Sequence, residues 1–388
     1  MVKEYISIHK NVMFKSISLE NFKCFSDRKS FTLKDINVFT GYNGRGKSTI
    51  FQAFLLLAQS LYDNKSLKHL LVNGIFCKLG LFEDLIHHDS VSKELRFHFI
   101  TDSEKFNDIE LVYKEFSDRK GTLSNIKVDG KSYFEKSSSL EGNMQSDSVS
   151  LQVYPEEIHP TFNNFYFVSA DRLGPTLFEV KQELYENNPI GNSGEFRLNV
   201  LAGHNKIQKK MAEIIAKIMD GGEMLIKGDS DEEKSNEILK LYFTSIKNNK
   251  PVKSINCGFG YSYIIPIILA ALRMKGGCLF VENPEAHLHP SAQSQLIKEL
   301  VALCTKNKIQ LFIETHSEHV INALRLCSLL PEYEGFGNKN LSMYFFDRNM
   351  TVKNLILEPD GQVSSWPLGF FDQAERDAAR IIQLGLLK

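Results

Sequence analysis

In this sequence of 388 residues no apolar run approaches the roughly 20 residues needed to span a bilayer. The longest candidate, Tyr263 to Leu272, ends at Arg273 and Lys275, so no membrane partner is expected. The N-terminus lacks a secretory h-region, which predicts cytoplasmic residence. The six cysteines (Cys24, Cys77, Cys257, Cys278, Cys304, Cys327) form no CxxC pair and sit in apolar contexts, which excludes a disulfide scaffold and suits buried, reduced thiols. Charge of one sign is also lacking: 46 Lys and Arg face 47 Asp and Glu. Any nucleic-acid contact must therefore come from a local patch or a partner, which argues against a stand-alone nuclease. There is no repeated period and no sustained heptad. What the chain has is 43% hydrophobic residues and a length that accommodates about two to three domains, or one large α/β core carrying insertions.

The stretch Gly41-Tyr42-Asn43-Gly44-Arg45-Gly46-Lys47-Ser48-Thr49 organises that core. It lies between an apolar strand-like run, Ile36 to Thr40, and a helix-like run, Ile50 to Leu61. The glycines, Gly44 and Gly46 among them, let backbone N–H groups close around phosphate oxygens, with Asn43 beside them as a nucleotide-binding candidate, and the helix N-terminus adds positive potential. Lys47 is placed to neutralise β/γ-phosphates, with Ser48 as a Mg²⁺ ligand and Thr49 beside it. The plain alternative is a glycine turn with a solvated lysine.

In order, the pattern predicts an N-terminal part of an ATPase core over residues 1–93, opening on an antiparallel lead-in at Met13 to Phe25 and Lys29 to Leu33. A β-rich inserted lobe is expected over 94–160, with a mobile serine-rich piece at Ser137 to Ser148. Core strand and loop follow over 161–200, where Phe165 to Ser169 ends in Ala170-Asp171-Arg172. Arg172 there could reach phosphates or a neighbouring subunit, or pair structurally with Asp171. Residues 201–250 read as a helical insertion, with Met211, Ile214, Ile215 and Ile218 on one side and Lys206, Lys209 and Lys210 as a solvated face. The core resumes over 251–345 and a small C-terminal domain takes 346–388. Gln59 and Glu83 are weak candidates for a Mg²⁺-sensing loop.

A second glycine turn, Cys257-Gly258-Phe259-Gly260-Tyr261-Ser262, opens onto an apolar helix and offers another anion site through Gly258, Gly260 and Ser262. The buried run Cys278 to Val281 then ends in Glu282-Asn283-Pro284-Glu285-Ala286-His287-Leu288-His289-Pro290. Glu282 can hold Mg²⁺ directly or through water, and Glu285 could orient the attacking water. The strand Ile309 to Ile313 stops at Glu314-Thr315-His316-Ser317, bringing His316 to the same rim. Metal binding by His287 with His289, or by His316 with His319, lacks a cysteine at zinc spacing.

The order Asn21 to Phe25, Gly41 to Ser48, Val281 to Pro290 and Glu314 to Ser317 resembles the ABC-type AAA ATPases of the SMC/OLD group. Within it the similarity is to bacterial predicted ATPases related to the anti-phage Septu ATPase subunit. Both core segments are covered, while the inserted lobes match in position alone. The resemblance implies an α/β P-loop NTPase fold, an ABC/SMC-like ATPase head with a β-rich lobe and a helical insertion. It implies heads that pair head-to-tail, as a homodimer or higher oligomer, with ATP and Mg²⁺ between one protomer's phosphate loop and the other's turn at Gly258 to Ser262. His316 corresponds to the switch histidine that senses the γ-phosphate. The ending Trp366 to Gln373 looks like the short C-terminal domain of a subset of these proteins.

Two departures matter. Asn283 stands where the second acid of the metal-binding strand is usual, and an amide cannot take a proton from water; losing general-base help costs roughly 10²- to 10⁴-fold in rate. Glu285 is the substitute, and slow hydrolysis is expected. After Ser317 only about 70 residues remain, too few for the nuclease domain of OLD-type proteins, and Asp347 alone cannot assemble a two-metal site. The chain thus reads as an ATPase that controls a separate effector, a nuclease in anti-phage defence. Two rivals stand: a scaffold that binds ATP without meaningful hydrolysis, and a DNA-repair or DNA-end-processing head that contacts DNA directly with a steep salt dependence.

Overall fold

The computed structural model describes residues 12–133, 155–182, 190–202, 204–219, 224–229, 238–244, 250–367 and 369–385. The expected mobile piece at 137–148 lies outside them. The chain begins β1 (Phe14–Glu20), β2 (Lys29–Thr32), β3 (Ile36–Gly41), α1 (Lys47–Asn64), β4 (His69–Leu71), β5 (Glu94–Thr101), β6 (Asp108–Ser117), β7 (Lys120–Val128) and β8 (Lys131–Tyr133). It continues through α2 (His159–Asn163), β9 (Phe165–Val168), β10 (Glu179–Val180), α3 (Arg197–Ala202), α4 (Asn205–Ile218), β11 (Met224–Asp229), β12 (Ile238–Thr244) and β13 (Pro251–Lys253). Last come α5 (Phe259–Arg273), β14 (Cys278–Glu282), α6 (Pro290–Asn307), β15 (Gln310–Thr315), α7 (Glu318–Cys327), β16 (Leu341–Phe346), β17 (Val352–Leu355) and α8 (Gln373–Gly385).

Two compact units result, Met1–Leu33 with Ser48–Phe165, and Lys34–Lys47 with Tyr166–Lys388. In the first, the strands run β2-β1-β5-β6-β7-β4, with β8 on β7. Burial alternates along β5, where Leu95, Phe97 and Phe99 turn inward, as one covered face of an antiparallel sheet requires. Phe14 meets Phe54, Phe99 and Phe162 at ring-centre distances of 5.0, 5.6 and 5.7 Å. The β-rich segment is therefore not a lobe set apart: β5 pairs antiparallel with β1, so lead-in and insertion form one sheet.

The second unit is built on the sheet β17-β16-β3-β15-β14-β9. Strands β14, β15, β3 and β16 are mutually parallel neighbours, and β17 returns antiparallel to β16. Their near-continuous apolar runs are buried throughout, as a parallel sheet covered on both faces demands. Each such Val, Leu, Ile or Phe contributes about 1.5–3 kcal/mol by leaving water. The register sets Glu282 opposite Glu314, Thr315 opposite Thr40, and Gly41 opposite Phe346, so four strand tips finish in one row.

Residues 205–218 form the expected helix, with Met211, Ile214, Ile215 and Ile218 buried and Lys206 and Lys209 exposed. Within the segment read as helical, the described residues 224–229 and 238–244 are strands instead: β11 and β12 form an antiparallel pair, with β10 and β13 also on β12. The alternation of buried Leu239, Leu241 and Phe243 in β12 is the strand signal that its charged surroundings masked. All six cysteines are free, and among the described residues no helix is long and apolar enough to cross a membrane.

Candidate active site

Strand β3 delivers the chain into the glycine loop. The backbone is left-handed at Gly41 (φ +122°), Gly44 (+68°) and Gly46 (+99°). At Gly41 a Cβ would stand 2.2 Å from the Phe346 carbonyl oxygen, so glycine is required by the neighbouring strand; at Gly44 a Cβ would meet nothing, so glycine is there for its backbone angle. Asn43 and Gly44 are exposed at the loop tip. Lys47 is 3% exposed. Its ammonium donates to the carbonyls of Tyr42 (2.7 Å) and Gly41 (3.2 Å). Burial lowers its pKa, and Glu314 opposes that shift. Ser48 and Thr49 follow in the first turn of α1, with the Thr49 hydroxyl 3.8 Å from Cys24 Sγ.

At the tip of β14, Glu282 accepts from the Ala170 N–H at 3.0 Å. Asn283 then takes a left-handed conformation (φ +42°), its N–H donating to the Glu314 carbonyl at 2.8 Å. Its buried Oδ1 has no hydrogen-bond partner among the described residues. That turn swings Glu285 onto the end of β15, where the His316 N–H donates to its Oε1 (2.8 Å) and the Thr315 hydroxyl to its Oε2 (2.9 Å). Burial raises the pKa of both carboxyls. For Glu282 the Ala170 N–H and Arg172 work against it; for Glu285 the His316 N–H and the Thr315 hydroxyl do. The Thr315 Oγ also accepts from the Ser317 N–H (3.0 Å), and Ser317 donates to Gln293 (2.5 Å), so the turn is held from α6 as well.

His316 is exposed. Partial desolvation of its ring, and then the Lys47 charge, lower its pKa, while a hydrogen bond with the Gly41 backbone opposes this. Beside it lies a cavity of about 210 Å³ lined by Thr40, Asn43, His316, Phe345, Phe370 and Phe371. The buried Thr40 hydroxyl has no partner among the described residues. The C-terminal segment thus contributes to the wall beside the loop, with Gly369 against the Tyr42 hydroxyl and the Arg348 guanidinium 4.8 Å from the Tyr42 ring centre.

The second glycine turn is of another kind. Gly258 caps α5 with an ordinary φ of −60° and is exposed beside Phe259. Gly260 is buried, a Cβ there standing 2.9 Å from the His287 carbonyl oxygen. Ser262 is fully buried with its hydroxyl unpartnered among the described residues, which removes it from any surface a second chain would meet. Gly258 and the backbone around it remain as the outward part of the expected set. Gln59 is also buried; its amide donates to the Leu71 carbonyl and accepts from the Cys77 N–H, a structural role. His289 accepts from the Ser291 N–H as the cap of α6, and Asp347 accepts from the N–H groups of Asn349 and Thr351 in a turn. Among the described residues the one grouping with metal-ligand spacing is the local run His87, His88 and Asp89, of which His88 and Asp89 are exposed.

Sequence reasoning missed Glu314, 8% exposed beside Lys47, and misplaced Arg172. Arg172 is 3% exposed and donates to the carbonyls of Ser169 (2.9 Å), Glu282 (2.7 Å) and Asn283 (2.6 Å). Its side chain turns inward onto those carbonyls, and among the described residues no ion pair joins it to exposed Asp171. Its position after a core strand was the available signal.

A nucleotide and a divalent cation suit these groups. Three left-handed glycines make a concave row of N–H donors, open at Gly44. Lys47 has folded its charge onto loop carbonyls, bonds that a phosphate chain can replace. Glu282, in the same unit as Lys47, offers a hard oxygen donor of the class Mg²⁺ prefers.

The family described as "AAA ATPase domain" matches residues 13–96 and 87–321, and one described as a protein of unknown function (DUF3696) matches 337–381. A protein of Helicobacter pylori named "ATP/GTP phosphatase" is 22% identical over 340 residues, spanning 80% of this chain and 87% of that one. Among solved structures, an SMC head bound to the C-winged helix domain of ScpA superposes with a TM-score of 0.55 at 13% identity, covering 89% of this chain and 98% of that one. An SMC head domain with an extended coiled coil, bound to the C-terminal domain of ScpA derived from Pyrococcus furiosus, gives 0.52 at 12% identity, covering 95% and 99%.

Proposed function

Because this chain belongs to the AAA ATPase domain family and folds as an SMC-like head, we propose that it hydrolyses ATP slowly, with Glu285 taking the proton of the attacking water. The observation that carries this is the anchoring of Glu285 on the tip of β15, two residues along the rim from Glu314 and in the same unit as Lys47. A carboxylate whose pKa burial has raised is a stronger base than a solvated one, and its two hydrogen bonds fix its direction. Lys47 and the loop N–H groups bind and orient the phosphate chain. His316, exposed beside them, would sense the terminal phosphate. Glu282 would hold Mg²⁺, which when bound supplies charge neutralisation to the phosphates.

Two chains close head-to-tail over the nucleotide in this reading, with the exposed turn at Gly258 and Phe259 as the surface presented to the second copy. The product of the cycle is a change of assembly that switches a separate effector, a nuclease in anti-phage defence. What supports the effector and the defence role is the sequence resemblance to Septu-related ATPases; direct DNA binding has less support, since Lys217 pairs with Glu299 at 3.2 Å, and of the other α4 lysines Lys206 and Lys209 are exposed singly while the expected third, Lys210, is half-buried.

A second reading, ATP binding without turnover, is favoured by one observation: Asn283 occupies the usual acid position. Phosphate release by purified protein, with and without Mg²⁺ and against Lys47→Ala, separates the two. Mg²⁺-dependent release that Lys47→Ala abolishes supports the ATPase reading; release no greater than that of Lys47→Ala leaves the binding scaffold.

A further inference from the structure

Arg172 occupies a place that ATP hydrolysis, as described, does not yet use. It follows β9, the residue is 3% exposed, and its guanidinium donates three hydrogen bonds to main-chain carbonyls. Two of those carbonyls, of Glu282 and Asn283, flank the peptide unit at which the chain turns left-handed after β14. A left-handed non-glycine residue persists only where its surroundings hold it, at a cost of order 1–3 kcal/mol. The third carbonyl, of Ser169, belongs to the loop whose Ala170 N–H holds the Glu282 carboxylate. One side chain thereby binds both the backbone of the turn that carries Glu282 and Glu285 and the loop that orients Glu282.

The same guanidinium lies 5.2 Å from the ring centre of Tyr263, on the second turn of α5. Tyr263 packs edge-on to His287 at 4.5 Å and against Phe259 at 6.3 Å, and Phe259 meets His287 at 5.4 Å. Phe259 is 54% exposed at the start of α5. A continuous set of contacts therefore runs from the carboxylate turn through Arg172 and Tyr263 to the exposed second glycine turn. Burial lowers the Arg172 pKa to about 10, so it stays charged at neutral pH, and the Glu285 charge is the largest influence opposing that shift.

We propose that Arg172 is a positioning residue for ATP hydrolysis: it clamps the Glu282–Asn283 turn so that Glu285 lies on the β15 tip, and it ties that turn to Tyr263 on α5. A planar guanidinium is needed because its donors point along two sides at once and its face stacks on the ring; an ammonium can reach the carbonyls but not stack in that way. This rests on the reading of Glu285 as the base, and it adds the device that places it.

The test compares wild type, Arg172→Lys, Arg172→Met, Tyr263→Leu and Lys47→Ala by ATP-binding stoichiometry, binding affinity and single-turnover phosphate release. Arg172→Met is expected to bind one ATP per chain within about threefold of wild-type affinity while release slows by about 30-fold or more. Arg172→Lys recovers part of the rate, and Tyr263→Leu, which leaves the carbonyl bonds intact, loses less than about tenfold. A merely structural role would instead lower the binding stoichiometry and the amplitude of release together, leaving the rate constant of the bound fraction unchanged. That result in Arg172→Lys, or in Arg172→Met if it folds, overturns the proposal. No release by wild type above Lys47→Ala overturns the ATPase reading, and the positioning role with it; wild-type release with an unaltered rate constant in Arg172→Lys and Arg172→Met overturns the positioning role alone.

Discussion

The two glycine turns that lead into helices look alike in sequence and differ in physical cause. In Gly41 to Gly46 the glycines are left-handed, and the loop closes on a buried lysine. In Gly258 to Gly260 no residue needs positive φ: Gly258 is extended, and Gly260 is small because the His287 carbonyl and the Leu288 side chain crowd it. The first turn is shaped to hold an anion by its own backbone. The second is shaped by packing, and what it offers is an exposed edge, Gly258 with Phe259, supported from behind by Gly174, where a Cβ would stand 2.7 Å from the Phe259 ring. Glycine spacing alone does not separate these cases; the backbone angle does.

The contrast breaks most severely at Gly41. Alanine there meets both a left-handed angle and the Phe346 carbonyl, and is expected to cost roughly 3–5 kcal/mol by denaturant unfolding. A cost under about 1 kcal/mol would mean that the loop can rearrange freely, contrary to a prebuilt cradle.

Next in size is the support behind the second turn. Arg197 donates to the Gly174 carbonyl (2.9 Å), and its Nε lies 3.8 Å from the carboxylate of Glu179, both side chains being nearly inaccessible. Burial pushes the Glu179 pKa up to about 7. The folded state then holds this proton more tightly than the unfolded chain, so the associated stability is fully present below the ordinary glutamate pKa and is lost as pH rises through about 7. Urea unfolding between pH 5 and 8 should show a decline of about 3 kcal/mol that Glu179→Gln flattens. An unchanged slope in Glu179→Gln would assign the decline to other groups.

At Gly260 alanine is expected to cost about 1–3 kcal/mol by overpacking against His287 and Leu288, while single-chain nucleotide affinity stays near wild type. A large loss of affinity without loss of stability would make this turn part of the chain's own cradle. Smallest is Gly44→Ala, about 1 kcal/mol, since its Cβ finds open space and pays only for φ. Here nucleotide affinity is the sharper reading, because an angle relaxed out of the left-handed region turns N–H groups away from phosphate.

Much of this site was legible in the sequence because its signals are local. The run Ile36 to Thr40, the glycine loop and the helix after it became β3, the loop and α1. The apolar strands ending at Glu282 and Glu314 became β14 and β15, and the parallel register brought their tips together. Illegible features were those fixed by distant partners. Periodicity could not show that β5 would pair with β1 rather than form its own lobe, because register is decided by a strand far away in sequence. The burial of Ser262, the carbonyl bonds of Arg172 and the closeness of Glu314 to Lys47 are likewise tertiary. Asn283 is intermediate: its identity raised the question of a missing acid, and the left-handed turn at that residue supplied an answer by carrying Glu285 back to the rim.

That answer is tested most directly by the rate of phosphate release from Glu285→Gln with bound Mg²⁺ and ATP. With ATP affinity retained, a fall of about 10²- to 10⁴-fold relative to wild type is predicted, the loss expected when a general base is removed. Turnover at the wild-type rate in Glu285→Gln would contradict the account and return the proton to some other acceptor.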